Sequence, residues 1–267
     1  MSILCVIPAR YASSRFPGKP LAPLTGVTGQ SVSLIERSWR AARDVDVFDR
    51  IIVATDDDRI AEEARRFGAD VAMTSSECGN GTERCAEVIQ TWVGDALELI
   101  VNLQGDAPLT PPWFLSALVE GLLSRPDFDV ATPVLRCDAA TLNAFKEDRR
   151  NGRVGGTTAV FDQESRALYF SKEVVPFTAD KPSGESDTPV FHHVGVYAYR
   201  PAALAAYPAL GIGPLERNEG LEQLRFLEHG SRILCVEVEA KGRQFWELNN
   251  PEDVPRIERM MADMQMP

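Results

Sequence analysis

Short apolar runs alternate with helix-type patterns along the first half of the chain. The runs lie at residues 3–7, 50–54, 70–73, 97–102 and 130–134. Runs of this length are typical of strands that are buried on both faces. The segments between them predict helices near residues 33–42, 59–67, 81–93 and 111–123. This alternation predicts a parallel sheet with helices on both faces over residues 1–135.

The second half of the chain has a different pattern. We expect strands at 157–161, 167–170, 191–200 and 233–238, and helices at 201–209, 220–227 and from 251 onward. If the strand at 191–200 is regular, His193, Gly195, Tyr197 and Tyr199 share one face. The predicted fold class is therefore α/β, with a doubly wound, mostly parallel sheet in residues 1–135 and a smaller mixed α+β lobe in residues 136–267. We expect the two parts to pack as one globular unit.

Composition limits the classes of function that fit this chain. The chain has 267 residues, of which 44% are hydrophobic, and a net charge of −11. An acidic protein is a poor general binder of nucleic acid or of anionic membranes. The five cysteines form no Cys-x-x-Cys pair, which argues against a zinc site or a disulfide framework. No basic segment precedes the first apolar run, and no run approaches the ~18 residues of a membrane span, so a cytoplasmic protein is expected.

A cationic loop follows the first predicted strand. It contains Arg10, Arg15 and Lys19 among small residues, and residues 9–20 include no acid. Ligands of open α/β sheets lie outside the carboxyl ends of the strands. Cations and accessible backbone N–H groups at such a place suit phosphate oxygens. A solvated basic loop explains the same three cations about as well.

Acidic residues follow two other predicted strands. The acids at 56–58 suit either a metal site or the N-terminus of the next helix, and capping is the favoured interpretation. Asp106 follows the strand at 97–102 and suits either Mg²⁺ or an ordinary Gly-Asp turn. Gly79 and Gly81 open a helix whose N-terminus could hold a base edge or an anion. Neither GxGxxG nor GxxxxGK[ST] occurs in the chain.

Several of these motifs together resemble one known family. They include Pro8-Ala9-Arg10, Pro17-Gly18-Lys19-Pro20, Gly81-Thr82-Glu83-Arg84 and Gln104-Gly105-Asp106. In this order they resemble the 3-deoxy-manno-octulosonate cytidylyltransferases (CMP-KDO synthetases), along nearly the whole chain. The resemblance implies a Rossmann-like fold of the nucleotide-diphospho-sugar transferase type. It also implies transfer of CMP from CTP to a 2-keto-3-deoxy sugar acid, with release of pyrophosphate, for lipopolysaccharide or capsule synthesis.

The resemblance also implies roles for individual residues. The catalytic set would be Arg10, Arg15, Lys19 and Asp106. The other nucleotide-binding residues would be Pro8, Ala9, Ser13, Asn80, Gly81, Thr82 and Gln104. The sugar acid would be bound by Lys172, His193, Tyr197, Glu222 and Gln223. The implied cofactor is Mg²⁺, with Asp106 and Asn249 as its ligands, and the implied assembly is a homodimer.

Three departures from the family pattern leave the acceptor open. The chain has Asn249 and Lys172 where the family has aspartate and arginine, and Ala107 replaces an acid. An amide binds Mg²⁺ without charge, and lysine lacks the bidentate fork of arginine. The acceptor could therefore be 8-amino-octulosonate, another nonulosonate or a phosphonate such as phosphonoformate. The motifs also leave open a sugar-1-phosphate nucleotidyltransferase that uses UTP or dTTP, and a non-catalytic relative that binds CTP.

Overall fold

The protein divides into two compact units in the computed structural model. The first unit comprises Met1–Ser116 and Ala240–Pro267, and the second comprises Ala117–Glu239. The structure describes residues 2–13, 15–106, 108–154, 156–178, 187–243, 246, 248 and 250–266. The predicted division after residue 135 falls inside a strand of the second unit, so the compact units differ from the predicted parts. The functional division into a CTP-binding and an acid-binding part stays a prediction.

The elements up to residue 124 follow the predicted alternation. The strands are β1 (Ser2–Ala9), β2 (Pro23–Thr25), β3 (Ser31–Ser33), β4 (Arg50–Thr55), β5 (Asp70–Met73) and β6 (Leu97–Leu103). The helices are α1 (Leu34–Arg43), α2 (Asp58–Arg66), α3 (Gly81–Gln90) and α4 (Pro112–Ser124). The short β2–β3 hairpin was not predicted from the apolar pattern.

The sheet of the first unit is parallel. Its strand order is β5-β4-β1-β6, with Cys5 in register with Ile51 on one side and Val101 on the other. Residues 4–7 of the central strand β1 are fully buried, which explains their unbroken apolar run. The carboxyl ends of β1 and β6 meet at the same edge, and the loops that follow them carry the candidate site.

The C-terminal segment belongs to the first unit. After a short 3-10 turn it forms α9 (Val254–Asp263), whose Ile257 and Met261 are fully buried against Leu24 and Leu34. Asn250 begins this segment, and its backbone N–H donates to the carboxylate of Asp253 in a capping box. The last element of the chain thus completes the core that its first elements begin.

The elements between residues 130 and 237 form the second unit's mixed architecture. The strands are β7 (Val130–Asp138), β8 (Thr158–Phe161), β9 (Ala167–Ser171), β10 (Asp187–His193), β11 (Val196–Tyr199) and β12 (Ile233–Glu237). The helices are α5 (Ala139–Arg150), α6 (Pro201–Ala206), α7 (Pro214–Glu219) and α8 (Leu224–Glu228). Strand β7 pairs antiparallel with β10 and β11 and parallel with β12. Together with the first unit's parallel sheet, this confirms the predicted fold class.

Two predicted elements of the second unit were wrong in detail. The strand expected at 191–200 is interrupted, because His193 pairs with Val134 whereas Ala198 pairs with Ala131. An advance of five positions from His193 to Ala198 thus matches an advance of only three along β7, and the extra residues form an irregular bend. The helix expected at 220–227 is also interrupted, since Gly220 ends α7 with a positive φ of 63° and α8 begins only at residue 224.

Two negative findings apply to the described residues. None of the described helices combines the length and the apolar character needed to cross a membrane. All five cysteines are free thiols, and four of them are buried. Burial raises the pKa of the Cys235 thiol to about 12, so this thiol is protonated and unreactive near neutral pH.

Candidate functional site

The cationic loop is closed at its base by one backbone hydrogen bond. The Gly18 N–H donates to the carbonyl of Tyr11 at 2.9 Å, which draws the two ends of the segment together. Gly18 has a φ of 72°, a conformation that favours glycine. Within the loop, Ser13 Oγ accepts a hydrogen bond from the Phe16 N–H at 3.4 Å. The side chains of Arg10 and Arg15 lie at exposed positions, where they can meet an incoming anion.

Lys19 and Asp106 form an ion pair. Lys19 lies in a short 3-10 turn directly after Gly18, and its Nζ donates to Asp106 Oδ2 at 2.7 Å. The side chains are 15% and 29% exposed, respectively, so both charges remain open to solvent on one side. The structure thus brings together two residues, 87 positions apart, that the sequence assigned to the same chemistry.

Glycines allow three predicted nucleotide-binding segments to touch. A Cβ added to Gly81 would lie 3.0 Å from Nε2 of Gln104 and 3.3 Å from Cγ of Pro8. A Cβ on Gly105 would lie 3.0 Å from the carbonyl oxygen of Pro8. The ends of β1 and β6 and the start of α3 therefore meet at distances that leave no room for side chains. The sequence did not predict these contacts directly; the family resemblance implied only that the residues share a role in nucleotide binding.

The start of α3 is capped and anchored. Asn80 Oδ1 accepts a hydrogen bond from the Glu83 N–H at 2.8 Å, and the Glu83 carboxylate accepts one from the Gly79 N–H at 2.7 Å. Thr82 is buried in the first turn. The buried guanidinium of Arg84 pairs with Asp56 at 3.2 Å and hydrogen-bonds to Thr74. These contacts fix the helix end that the sequence assigned to the nucleotide.

The acids after β4 stabilise structure, as favoured from the sequence. Asp57 is the N-cap of α2 and accepts a hydrogen bond from the Arg59 N–H at 3.0 Å. The Arg59 side chain also donates to this carboxylate and holds the Asp57 pKa below its usual range. Asp56 pairs with Arg84 instead. Among the described residues, no three His, Cys, Asp or Glu side chains group into a metal site.

The second predicted metal ligand cannot be compared with the structure. Asn249 lies outside the described residues, as do Glu247 and Ala107. Leu248 is described, and its N–H donates to the backbone carbonyl of Asp106 at 2.9 Å. Trp246 Nε1 donates to Asp253 at 3.2 Å, and the guanidinium of Arg256 stacks on its ring at 3.3 Å.

In the second unit, His193 is buried against a threonine. Thr132 Oγ1 donates to the backbone carbonyls of Val194 and Val196 at 3.1 and 2.9 Å. Because that hydroxyl hydrogen is used, the oxygen accepts from His193 Nε2, 3.0 Å away. This assigns the Nε2–H tautomer. Burial, with His192 beside it, lowers the pKa of His193 to about 3, so the ring is neutral at physiological pH.

Tyr197 and Gln223 form a buried polar pair. The Tyr197 hydroxyl donates to Gln223 Oε1 at 3.1 Å, while Gln223 Nε2 is buried and has no hydrogen-bond partner among the described residues. The His193 and Tyr197 rings lie 5.6 Å apart, and the Tyr197 and Tyr199 rings 5.9 Å apart. These three rings therefore lie next to one another, although the strand whose regularity the predicted common face required is interrupted. An unsatisfied buried amide is costly unless a polar ligand completes its bonding.

The other two predicted acid-binding residues are partly buried. The backbone carbonyl of Glu222 accepts a hydrogen bond from the Tyr207 hydroxyl at 3.0 Å. Lys172 Nζ lies 3.1 Å from the position a Cβ would occupy on Gly220. The Lys172 ammonium thus lies beside the bend that separates α7 from α8.

Sequence reasoning missed Glu219, which organises the residues around Lys172. Its carboxylate accepts from the Ser171 hydroxyl at 2.6 Å, the Lys172 N–H at 2.9 Å and the Tyr169 hydroxyl at 3.2 Å. These partners lie 47 to 50 positions away in the chain, so no local pattern connects them. The only available signal was that Glu219 precedes a glycine at the end of a short helix.

Comparison with known proteins adds three findings. The family model "Cytidylyltransferase" matches residues 4–233. The chain is 42% identical over 262 residues to a 3-deoxy-manno-octulosonate cytidylyltransferase of Maricaulis maris, with 98% of each chain covered. It is also 42% identical over 258 residues to the protein of the same name from Chlamydia pneumoniae, with 96% of this chain and 92% of that protein covered.

Two solved structures are similar in fold. One is a CMP:2-keto-3-deoxy-manno-octonic acid synthetase complexed with CTP, with a TM-score of 0.82, 30% identity, and 99% of this chain and 100% of that chain covered. The other is a cytidylyltransferase from Leptospira borgpetersenii, with a TM-score of 0.59, 17% identity, and 97% and 85% coverage. The second similarity concerns the fold alone.

Proposed function

This chain belongs to the cytidylyltransferase family, and on that basis we propose that it transfers CMP from CTP to 3-deoxy-manno-octulosonate and releases pyrophosphate. The observation that carries the proposal is the meeting of Pro8, Gly81 and Gln104 beside the Lys19–Asp106 pair. These residues come from three separate segments, and the family resemblance gives all of them to the nucleotide. Such convergence is expected of a binding site and not of unrelated surface loops.

The proposed reaction is an in-line displacement at phosphorus. The anomeric hydroxyl oxygen of the sugar acid forms a bond to the α-phosphorus of CTP, and the bond from that phosphorus to the oxygen bridging the β-phosphate breaks. Pyrophosphate leaves with the bridging oxygen, and the hydroxyl proton passes to solvent water. Negative charge accumulates on the phosphate oxygens during this exchange. Arg10, Arg15 and Lys19 supply three positive charges to neutralise it, and the exposed positions of the two arginines leave them accessible to the triphosphate.

The donor set fits a Mg²⁺ ion that arrives with the nucleotide. Asp106 is the one strand-end carboxylate in the proposed site, and the described residues contain no cluster of three metal-binding side chains. Mg²⁺ commonly takes one or two carboxylates, together with phosphate oxygens and water. When bound, it would neutralise and orient the triphosphate. Asp106 would hold it, with Asn249 as the second ligand implied by the family resemblance.

Binding of the ion requires a change at Asp106. The Lys19 ammonium takes Oδ2 of this carboxylate at 2.7 Å, where it neutralises the charge that a metal needs. A triphosphate offers Lys19 several new anionic partners. We propose that Lys19 transfers its hydrogen bond from Asp106 to a phosphate oxygen when CTP binds, which leaves the carboxylate for the cation.

The second unit supplies groups suited to a polyhydroxylated acid. The Lys172 ammonium can pair with a carboxylate, and Gln223 Nε2 is a buried donor with no partner in the part of the chain that the structure describes. Neutral His193, the Tyr197 hydroxyl and the Glu222 carboxylate add hydrogen-bonding groups for sugar hydroxyls. We propose that these five residues bind the acceptor.

Two further proposals concern the state of the protein. A homodimer is supported by exposed apolar side chains of the second unit, above all Phe177, which is 93% exposed. Sedimentation of the protein and of its Phe177→Ser variant tests this, and a monomeric wild type contradicts it.

A cytoplasmic location is supported by the five free cysteines, and fractionation of the producing cells tests it.

The decisive experiment measures pyrophosphate release from CTP and Mg²⁺ with a panel of acceptors. The panel contains 3-deoxy-manno-octulosonate, its 8-amino analogue, sialic acid and phosphonoformate. We expect release with the first acid and a much lower kcat/KM with the others. Release with another acid alone would contradict the proposed acceptor. If no acid in the panel gives pyrophosphate release, while calorimetry still detects CTP binding, a non-catalytic CTP-binding protein would be favoured.

A further inference from the structure

The ring of Tyr11 contacts two partners at the start of the cationic loop. One is Gly18, where an added Cβ would be 2.9 Å from Cε2 of the ring. The other is Arg59, whose guanidinium carbon lies 3.3 Å from the ring centroid. Cation–π attraction is favourable at this distance, so the ring has a fixed position.

Arg59 is itself oriented by the end of a helix. Its Nε and Nη2 donate to the two carboxylate oxygens of Asp57 at 2.9 and 2.7 Å. Asp57 at the same time caps α2 by accepting from the Arg59 N–H. The guanidinium therefore uses its edge for Asp57 and its face for Tyr11, a combination that lysine cannot reproduce.

These contacts connect a rigid element to both ends of the loop. Tyr11 begins the loop, Gly18 ends it, and the Gly18 N–H donates to the Tyr11 carbonyl at 2.9 Å. The residue after Gly18 is Lys19, whose Nζ contacts Asp106. A displacement of the Tyr11 ring would therefore also displace Lys19.

We propose that Tyr11, Gly18, Asp57 and Arg59 form a tyrosine clamp that positions the cationic loop for the triphosphate. Tyr11 and Arg59 are positioning residues in this inference, which rests on the proposed function for its link to CTP. The clamp holds residues 10–13 and 15–18 in the binding conformation before the nucleotide arrives. Preorganisation of this kind improves affinity because less ordering remains for the ligand to impose.

Limited proteolysis tests the clamp without any catalysis. The Arg15–Phe16 bond lies in the loop and is a trypsin site, and native-state cleavage follows the population of the locally open form. Arg59→Met removes the clamp cation without altering the loop sequence. We expect cleavage at this bond about three- to tenfold faster than in wild type, in keeping with the strength of a cation–π contact.

The matched control is Arg65→Met. Arg65 lies at an exposed position of the same helix α2, and its replacement removes the same charge. Cleavage in this variant should match wild type. Equal cleavage rates in wild type, Arg59→Met and Arg65→Met, at equal thermal stability, would overturn the clamp.

Steady-state kinetics test its link to the nucleotide. Tyr11→Leu and Arg59→Met should each raise the KM for CTP about three- to tenfold, with kcat and the KM for the acid nearly unchanged. Tyr11→Phe keeps the aromatic face and should restore the wild-type value. A wild type that releases no pyrophosphate would refute the proposed function while the cleavage result still decides the clamp. An active wild type with unchanged KM in both variants would refute the positioning role.

Discussion

The ion pair between Lys19 and Asp106 joins the two residues with the most direct proposed contact to the reacting phosphates. Asp106→Asn keeps the shape of the side chain and removes the charge that attracts a divalent cation. We expect kcat to fall about a hundredfold or more, since loss of transition-state charge stabilisation typically costs that much. The dissociation constant for CTP, measured by calorimetry without acceptor, should change little.

Asp70→Asn is a suitable control for this change. Asp70 also pairs with a cation, Arg50, at 2.8 Å, but it lies at the start of β5 and at the surface. Its variant should keep the wild-type kcat. A near-normal kcat in Asp106→Asn would remove Asp106 from the proposed metal site.

Asn249→Asp tests the departure from the family pattern. An added carboxylate should bind Mg²⁺ more firmly than an amide does, because the affinity of such sites rises with ligand charge. We expect the Mg²⁺ concentration for half-maximal pyrophosphate release to fall several-fold. Asn250→Asp makes the same charge change one residue further on and preserves the N-cap, so it should keep the wild-type requirement. An unchanged requirement in both variants would exclude position 249 from the metal site.

The sequence allowed us to predict contacts between residues that follow strand ends, but not contacts between side chains of paired strands. Lys19 and Asp106 could be predicted to lie close together because both follow parallel strands that share an edge. The hydrogen bond between Thr132 and His193 could not, because it depends on the exact register of two antiparallel strands. The contacts of Glu219 were missed because this carboxylate, at the end of helix α7, meets residues 47 to 50 positions away in the chain.

At the level of whole elements, strands with continuous apolar runs were predicted well. Residues 4–7 of β1 are buried on both faces, which leaves an unmistakable pattern. The hairpin of β2 and β3 has three residues in each strand, too few for a periodicity to be visible. The apolar residues at 221, 224 and 227 suggested a continuous helix, but Gly220 and the turn after it interrupt the segment.

Helix α9 offers a test of how the first unit is held together. Ile257→Ala would remove a fully buried side chain that packs in the cluster with Leu24 and Leu34. We expect the free energy of unfolding in urea to fall by about 2–5 kcal/mol, the usual cost of such a cavity. Arg259→Ala, at an exposed position of the same helix, should change it by less than about 0.5 kcal/mol. Equal stabilities of the two variants would contradict the packing of α9.

For the whole molecule, the buried His193 and the half-buried His192 predict the pH dependence of stability. Burial lowers the pKa of His192 to about 4 and that of His193 to about 3, whereas an unfolded chain titrates near 6.5. Below about pH 6.5 the unfolded state therefore binds protons that the folded state does not, and stability falls as pH decreases. Each histidine contributes at most about 1.4 kcal/mol per pH unit to the slope of the free energy of unfolding against pH.

The variant His193→Gln removes one of these titrations. Its free energy of unfolding, measured in urea at several pH values between 7 and 5, should fall less steeply with acidification than that of wild type. Tyr197→Phe alters a buried neighbour without a titration in this range, so its stability should run parallel to wild type. A wild-type slope in His193→Gln would show that His193 is not buried in its neutral form.

The return of the C-terminal segment to the first unit has a consequence for synthesis on the ribosome. The second unit is one continuous stretch, Ala117–Glu239, which is translated before residues 240–267. The first unit needs Ala240–Pro267 to complete the cluster around Leu24 and Leu34. The strands translated first therefore have an incomplete core, exposed to chaperones, until residues 240–267 have been translated. A stalled or prematurely terminated chain would contain every residue of the cationic loop and still lack the core that supports it.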